Sequence, residues 1–240
     1  MTTESEVRRE LEGSAGLIGQ ALNTAQVRQV AQHLDLIAAW NRKAHLTSIT
    51  EPAKAARVHV VDSLLCLRAG LPAGAALIDV GSGAGFPGIP LKIARPDLAV
   101  TLLEAASRKA AFLELAAAEI GAALSVVEAR AELAAHDPTW RERFDVAVAR
   151  AVAPLPALCE LVLPFLRRGG KAVLLKGPSV ASELSAGARA SAILGGSPPE
   201  QMMSQLPGGA HRVIVTIEKV AETPPDYPRR PGVPAKRPLG

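Results

Sequence analysis

Cysteine, aromatic residues and long apolar runs are all scarce in this sequence. The 240 residues hold two cysteines, Cys66 and Cys159, each inside an apolar stretch. Neither a disulfide framework nor a cysteine-based metal site is supported, and no metal is expected. Aromatic residues make up 3% of the chain, too few for a broad platform on which single-stranded bases would stack. The most apolar stretch, 151–166, is broken by Pro154, Pro156, Glu160 and Pro164, which argues against a membrane span. Near the N-terminus, Glu4, Glu6, Arg8, Arg9, Glu10 and Glu12 stand where a secretory signal needs apolar residues. A cytoplasmic protein is expected, with no internal repeat and no obligate protein partner evident.

What is present suits a large α/β domain: 48% hydrophobic residues, and 27 Lys and Arg against 23 Asp and Glu. The net charge of +4 leans only weakly toward an anionic partner. Residues 24–40 carry Val27, Val30, Ala31, Leu34, Ile37 and Ala38 at helical spacing, with Asn23 or Thr24 placed as cap, and a second helix is predicted near 53–67. Residues 1–74 therefore read as a helical extension. From residue 75 short apolar runs alternate with helical segments, the pattern of a parallel sheet with crossover helices. Strands are predicted at 76–80, 99–104, 124–127, 144–149, 171–176 and 211–219, with a further short strand around Met202. Helices are predicted at 107–120, 155–166 and 180–193, ended by Gly121, Gly169 and Gly195. The core domain spans 75–222. Residues 223–240 contain six prolines and no apolar periodicity, so an extended tail without a core of its own is expected.

The run Asp79–Val80–Gly81–Ser82–Gly83–Ala84–Gly85–Phe86–Pro87–Gly88 leaves the first strand and opens a helix, the context of a nucleotide-binding turn. Glycines let the backbone turn sharply and approach a ligand. Glu104 ends the second strand 21 positions after Gly83, where a carboxylate can accept from both ribose hydroxyls. Loop and carboxylate together point to an adenosine ligand. Gly83, Gly85 and Gly88 also satisfy the dinucleotide fingerprint, so an NAD-binding oxidoreductase is an alternative. Asp79, read as standing at the mouth of the loop, would repel a pyrophosphate and pair with an ammonium group, which favours S-adenosylmethionine. No Gly-Lys-Ser or Gly-Lys-Thr follows, which excludes a Walker loop.

These residues resemble the bacterial ribosomal small-subunit RNA guanine-N7 methyltransferases, the glucose-inhibited division protein B family. Trp40, Asn41, Leu46 and Thr47 are similar to its N-terminal element, and His59, Asp62 and Ser63 to the following segment. Residues 79–90, with Phe86, Pro87, Gly88, Ile89 and Pro90, resemble its cofactor loop. Arg150, Ala151, Pro154 and Leu155 resemble its fourth-strand exit, and Leu175, Lys176 and Gly177 its fifth. Tyr227, Pro228, Arg229, Arg230, Gly232, Pro234, Lys236, Pro238 and Leu239 are similar to its basic, proline-rich terminus. Glu104 stands where relatives often carry aspartate, and Arg108 and Lys109 reverse the usual basic pair.

The resemblance implies a Rossmann-like class I S-adenosylmethionine-dependent methyltransferase sheet, with the helical extension and basic tail attached. It implies that Gly81 and Phe86 line the cofactor, that Ala131 and Glu132 meet its adenine, and that Arg150 lies beside the site. With Asp79, Gly83, Gly85 and Glu104 these form the candidate cofactor set. The implied substrate is N7 of a guanine in 16S ribosomal RNA or the small ribosomal subunit. That lone pair has no proton to lose, so no general base is expected and alignment carries the chemistry. His59 and Lys176 are candidate RNA contacts, as are Arg229, Arg230, Lys236 and Arg237, which with Asp226 give the tail a local excess of +3. Alternatives are a methyltransferase acting on another RNA or a small molecule, and a non-catalytic RNA-binding assembly factor.

Overall fold

A computed structural model describes residues 3–240. Seven strands form one sheet in the order β3-β2-β1-β4-β5-β7-β6: β1 (Ala76–Val80), β2 (Ala99–Glu104), β3 (Leu124–Glu128), β4 (Phe144–Arg150), β5 (Leu166–Lys176), β6 (Glu200–Gln205) and β7 (His211–Glu218). β1 to β5 run parallel, whereas β7 runs antiparallel to both β5 and β6. The parallel sheet expected from sequence is present in β1 to β5, and an antiparallel edge is added to it. Five residues, 206–210, join β6 to β7, enough for a hairpin and too few for a crossover. Topologically, the chain winds outward through β2 and β3 and returns to the other side of β1 as β4. The carboxyl ends of β1 and β4 thus flank the switch point at which open α/β sheets bind ligands.

Alternation along the strands feeds two cores. Leu77, Val146, Val148, Val173 and Leu175 face one layer, and Ile78, Ala147, Ala149, Ala172 and Leu174 face the other. The first layer includes the N-terminal helices. α2 (Thr24–Ala44) begins in a capping box in which Asn23 and Gln26 satisfy each other's backbone N–H, an arrangement worth about 1 kcal/mol. It buries Val27, Val30, Ala31, Leu34 and Ile37. α1 (Thr3–Ile18), not predicted from sequence, buries Val7, Leu11 and Ile18 in the same layer. Among the described residues no helix is long and apolar enough to cross a membrane.

Three predicted helices are altered locally. The segment 52–69 is helical but widens into a π turn over Ala56–Val61 and tightens to 3-10 geometry over Leu65–Ala69. The helix expected at 155–166 ends at Val162, because Pro164 brings no N–H and forces a tight turn, and Leu166 already pairs with Phe144 of β4. The helix expected at 180–193 is α-helical only over Leu184–Ile193, behind a 3-10 turn at Pro178–Glu183.

The largest correction concerns the tail, which packs back on the core. Tyr227 and Leu239 join the second core layer, Pro228 and Pro234 are buried, and Val233–Lys236 forms a short helix. Arg229 does not point into solvent. Its guanidinium pairs with Glu160 at 2.6 Å, its backbone N–H donates to the same carboxylate, and that carboxylate is fully buried. Arg230, Lys236 and Arg237 remain exposed. Removing one partner of a buried pair leaves the other charge uncompensated. Arg229→Ala is expected to cost about 3 kcal/mol in urea unfolding, at the low end for a broken buried pair because the backbone N–H stays. Arg230→Ala should change stability by less than about 0.5 kcal/mol. Equal effects of the two substitutions would contradict this reading of the tail.

Candidate active site

Three adjoining cavities cross the carboxyl edge of the sheet. The central one, about 350 Å3, is lined by the turn Gly81–Ala84, Phe86, Glu104, Lys109 and Val152, with Leu46, Thr47 and His59 from the N-terminal extension. A second, about 230 Å3, shares Gly81, Glu104 and Val152 with it and continues past Ala131 and Glu132 to Gly232 and Ala235 of the tail. The third, about 400 Å3, shares His59, Arg150 and Ala151 with the central cavity and opens toward Asp62, Lys176, Ser179 and Arg212. A trough formed by the first two therefore meets a more cationic cleft at Arg150.

The turn after β1 is held from beneath. The N–H groups of Gly81 and Ser82 donate to the Leu103 carbonyl at 2.8 and 3.1 Å, and Gly83 N–H donates to Glu104 at 2.9 Å. Glu104 also accepts from Ala106 N–H at 2.8 Å, so both carboxylate oxygens are fixed while lone pairs remain for a ligand. At Gly81, φ is +76° and a Cβ would lie 2.9 Å from Val152, closing the trough where the strand ends. Glu104 and Glu132 on the trough's walls can accept from hydroxyl and amine donors, and Lys109 and Arg130 line the same cavities.

Two members of the expected cofactor set do not face the trough. Asp79 is fully buried beneath the loop: one oxygen accepts from Gly88 N–H at 2.9 Å and the other has no partner. Burial pushes its pKa up to about 7. The expectation that it guards the mouth is corrected. It braces the start of helix Gly88–Ala94, where a Cβ on Gly88 would sit 2.4 Å from Leu102 and 2.8 Å from Asp79 itself. Gly85 turns inward too, with its Cβ position 2.4 Å from Ile89 and 3.2 Å from His33. Glu132 lines the trough yet is largely buried, and one of its oxygens accepts from Gly232 N–H at 2.8 Å.

Arg150 organises the junction. Its guanidinium donates to Asp62 at 3.1 Å and to the carbonyls of Val58 and His59 at 3.2 and 3.4 Å, and it lies 5.0 Å from the centre of the Phe86 ring. Both carbonyls belong to the π turn, and that of His59 is shared, since it also accepts from Asp62 N–H and Ser63 Oγ. The other oxygen of Asp62 accepts from Arg212 of β7 at 2.8 Å, so one buried carboxylate joins two arginines. His59 Nδ1 lies 3.3 Å from Arg150 and Nε2 lies 2.9 Å from Thr47 Oγ1. Burial and then the Arg150 charge lower its pKa to about 4. The ring is neutral near pH 7, accepting at Nδ1 from the guanidinium and donating from Nε2 to Thr47. Lys176 also lines the cleft but pairs with Glu183 at 2.9 Å and donates to the Ala153 carbonyl at 3.0 Å. Among the described residues no group of three or more His, Cys, Asp or Glu could hold a metal.

The sequence reading assigned no role to Asp62, Thr47, Arg212 or His33. His33 lies on α2, fully buried, and its Nε2 is 2.8 Å from the Ala84 carbonyl within the loop. Only its place on the apolar face of α2 marked it in sequence.

The sequence pattern of the rRNA small subunit methyltransferase G family matches residues 26–207. The chain belongs to that family. Proteins described as ribosomal RNA small subunit methyltransferase G from Pelotomaculum thermopropionicum and Moorella thermoacetica are 45% and 43% identical to it. Each alignment covers 92% of this chain, and 94% and 93% of those proteins. Among solved structures, a predicted O-methyltransferase from Agrobacterium tumefaciens has a TM-score of 0.55 at 22% identity, covering 67% of this chain and 81% of its own. A cofactor-bound protein from MTB, Rv0187, has a TM-score of 0.56 at 19% identity, covering 81% of this chain and 91% of its own. At those identities the structures speak for the fold, the Rossmann-like class I methyltransferase sheet. The matched region contains the glycine turn, Glu104, Arg150 and Lys176, while the tail lies outside it.

The buried His33 and Asp79 respond to pH with opposite signs. Burial lowers His33 from 6.5 to about 4. Above 6.5 both folded and unfolded rings are neutral; below it the unfolded chain binds a proton that the folded ring refuses, so stability falls as pH drops toward 4. Asp79, raised from 3.8 to about 7, holds a proton that the unfolded chain releases, so its contribution is present below 3.8 and lost as pH rises through 7. The difference in unfolding free energy, His33→Gln minus wild type, should therefore move in favour of the variant by about 3 kcal/mol between pH 7 and pH 4. Denaturant titrations at both pH values check this, and a pH-independent difference would contradict it.

Proposed function

We propose that this protein transfers a methyl group from S-adenosylmethionine to N7 of a guanine in 16S ribosomal RNA, acting in the cytoplasm on the RNA or the small-subunit particle. The observation that carries the reading is the junction at Arg150, where a carboxylate-walled nucleoside trough opens directly into a cationic cleft. Family membership supplies the substrate class. S-adenosylmethionine, when bound, supplies an electrophilic methyl group on a sulfonium. In this reading Glu104, which lines the cavity, accepts from ribose hydroxyls, and Gly81 and Gly83 let the backbone reach the ligand. Ala131 and Glu132 line the far end of the trough, the position for adenine.

Guanine N7 presents a lone pair and loses no proton, and the neutral His59 is consistent with a site that moves none. The residues act by alignment: Arg150, fixed on five sides, and Phe86 beneath it define where the base lies against the methyl donor. Arg212 and Lys176 line the acceptor cleft, and the exposed Arg230, Lys236 and Arg237 add positive charge for phosphate contact. Arg229, occupied by Glu160, is withdrawn from that set.

Labelled methyl transfer to 16S RNA, followed by mapping of the modified base, tests the activity. Wild-type protein should label a guanine at N7. Gly81→Val should weaken S-adenosylmethionine binding at least about tenfold by calorimetry, since its side chain fills the cradle and its φ is strained. Labelling at another position, or undiminished affinity in the variant, would overturn the assignment.

A further inference from the structure

The tail does more than cover the core. We infer that its turn at Gly232–Ala235 forms one wall of the adenine end of the cofactor trough, so that tail docking and cofactor binding are coupled. This rests on the cofactor reading above. The cavity past Glu104 is lined by Ala131 and Glu132 from the core and by Gly232 and Ala235 from the tail, together with Leu161. Those two tail positions lie about a hundred residues from Ala131 and Glu132 in sequence, beyond the segment that the family pattern matches.

The wall is built, not draped. Gly232 N–H donates to Glu132 at 2.8 Å, tying the tail to the carboxylate that lines the cavity. Glu132 keeps accepting capacity for a ligand donor, since a carboxylate offers about four lone-pair sites. Gly232 takes φ +81°, a turn that L side chains rarely adopt, and it starts the short helix Val233–Lys236 that carries Ala235. Upstream, the tail is clamped by Arg229 on the buried Glu160 and by His136, whose Nε2 lies 2.7 Å from the Pro228 carbonyl. Arg141 adds bonds to the Tyr227 and Thr223 carbonyls at 2.9 and 2.7 Å. Pro234 is buried while Ala235 is exposed at the rim. A small side chain there leaves room for the edge of a planar purine, and a large one would occupy it. A ligand seated against both walls holds the docked tail, and by reciprocity a displaced tail weakens the ligand.

The test uses the full chain with S-adenosylhomocysteine as probe. Ala235→Trp, at an exposed position, should keep the wild-type melting temperature without ligand and lose at least about tenfold in affinity by calorimetry. Independently of that variant, hydrogen exchange in wild-type residues 229–237 should slow when the probe is added. Wild-type affinity in Ala235→Trp, or unchanged exchange in a wild type that demonstrably binds the probe, would overturn the inference. A wild type that binds no probe would overturn the cofactor assignment itself, and this inference with it.

Discussion

One guanidinium holds two of the cavities at the carboxyl edge of the sheet in register. Arg150 leaves the last residue of β4 and reaches the π turn of the N-terminal extension, the carboxylate of Asp62, the ring of His59 and the face of Phe86 in the cofactor loop. Sheet, extension and loop are three separate pieces of chain. They meet here through a planar donor fork that can satisfy several acceptors at fixed angles, which a lysine ammonium could not reproduce. The arrangement is nearly desolvated, with Asp62 5% and Arg150 16% exposed as side chains, so its geometry is stiff. Asp62 then passes the constraint on to Arg212 in β7, at the far side of the cleft.

Electrostatics divides the site into two halves with different tasks. The trough mixes Glu104 and Glu132 with Lys109 and Arg130, so it offers acceptors for hydroxyl and amine donors, and the cleft carries Arg150, Arg212 and Lys176, which suit a polyanion. His59 sits at the boundary and stays neutral, so the positive charge there belongs to Arg150 alone. The cationic groups of the cleft are mostly committed to carboxylates, which limits non-specific attraction and leaves shape to decide what fits. The cleft is held by the ion pairs at Asp62, and the trough by backbone N–H groups that donate to Glu104 and Glu132.

Local patterns in the sequence carried the sheet core and the glycine turn. The capping box at Asn23 and the short apolar runs of β1, β2 and β4 are nearest-neighbour properties, visible without tertiary structure. What stayed hidden depends on distant partners. Glu160 looked like a break in an apolar run, and its meaning comes from Arg229, 69 positions away. Asp62 and Arg212 lie 150 positions apart, with no periodicity linking them. Asp79 stood next to the right loop but was placed on the wrong side of it, because sequence adjacency does not say whether a side chain at a strand end points to ligand or core. α1 was legible in the spacing of Val7, Leu11 and Ile18 but was masked by the six charges between Glu4 and Glu12.

The account turns on the bridge between Asp62 and Arg150, and the most direct measurement is single-turnover methyl transfer to 16S RNA by Asp62→Asn, with cofactor affinity measured alongside. The substitution keeps the shape and removes the charge that fixes both arginines. A misplaced group near a reacting atom can cost about a hundredfold in rate. Cofactor affinity within about threefold of wild type, with transfer slowed by that order, is the predicted result. Wild-type transfer rates would contradict the claim that this bridge sets the reacting geometry.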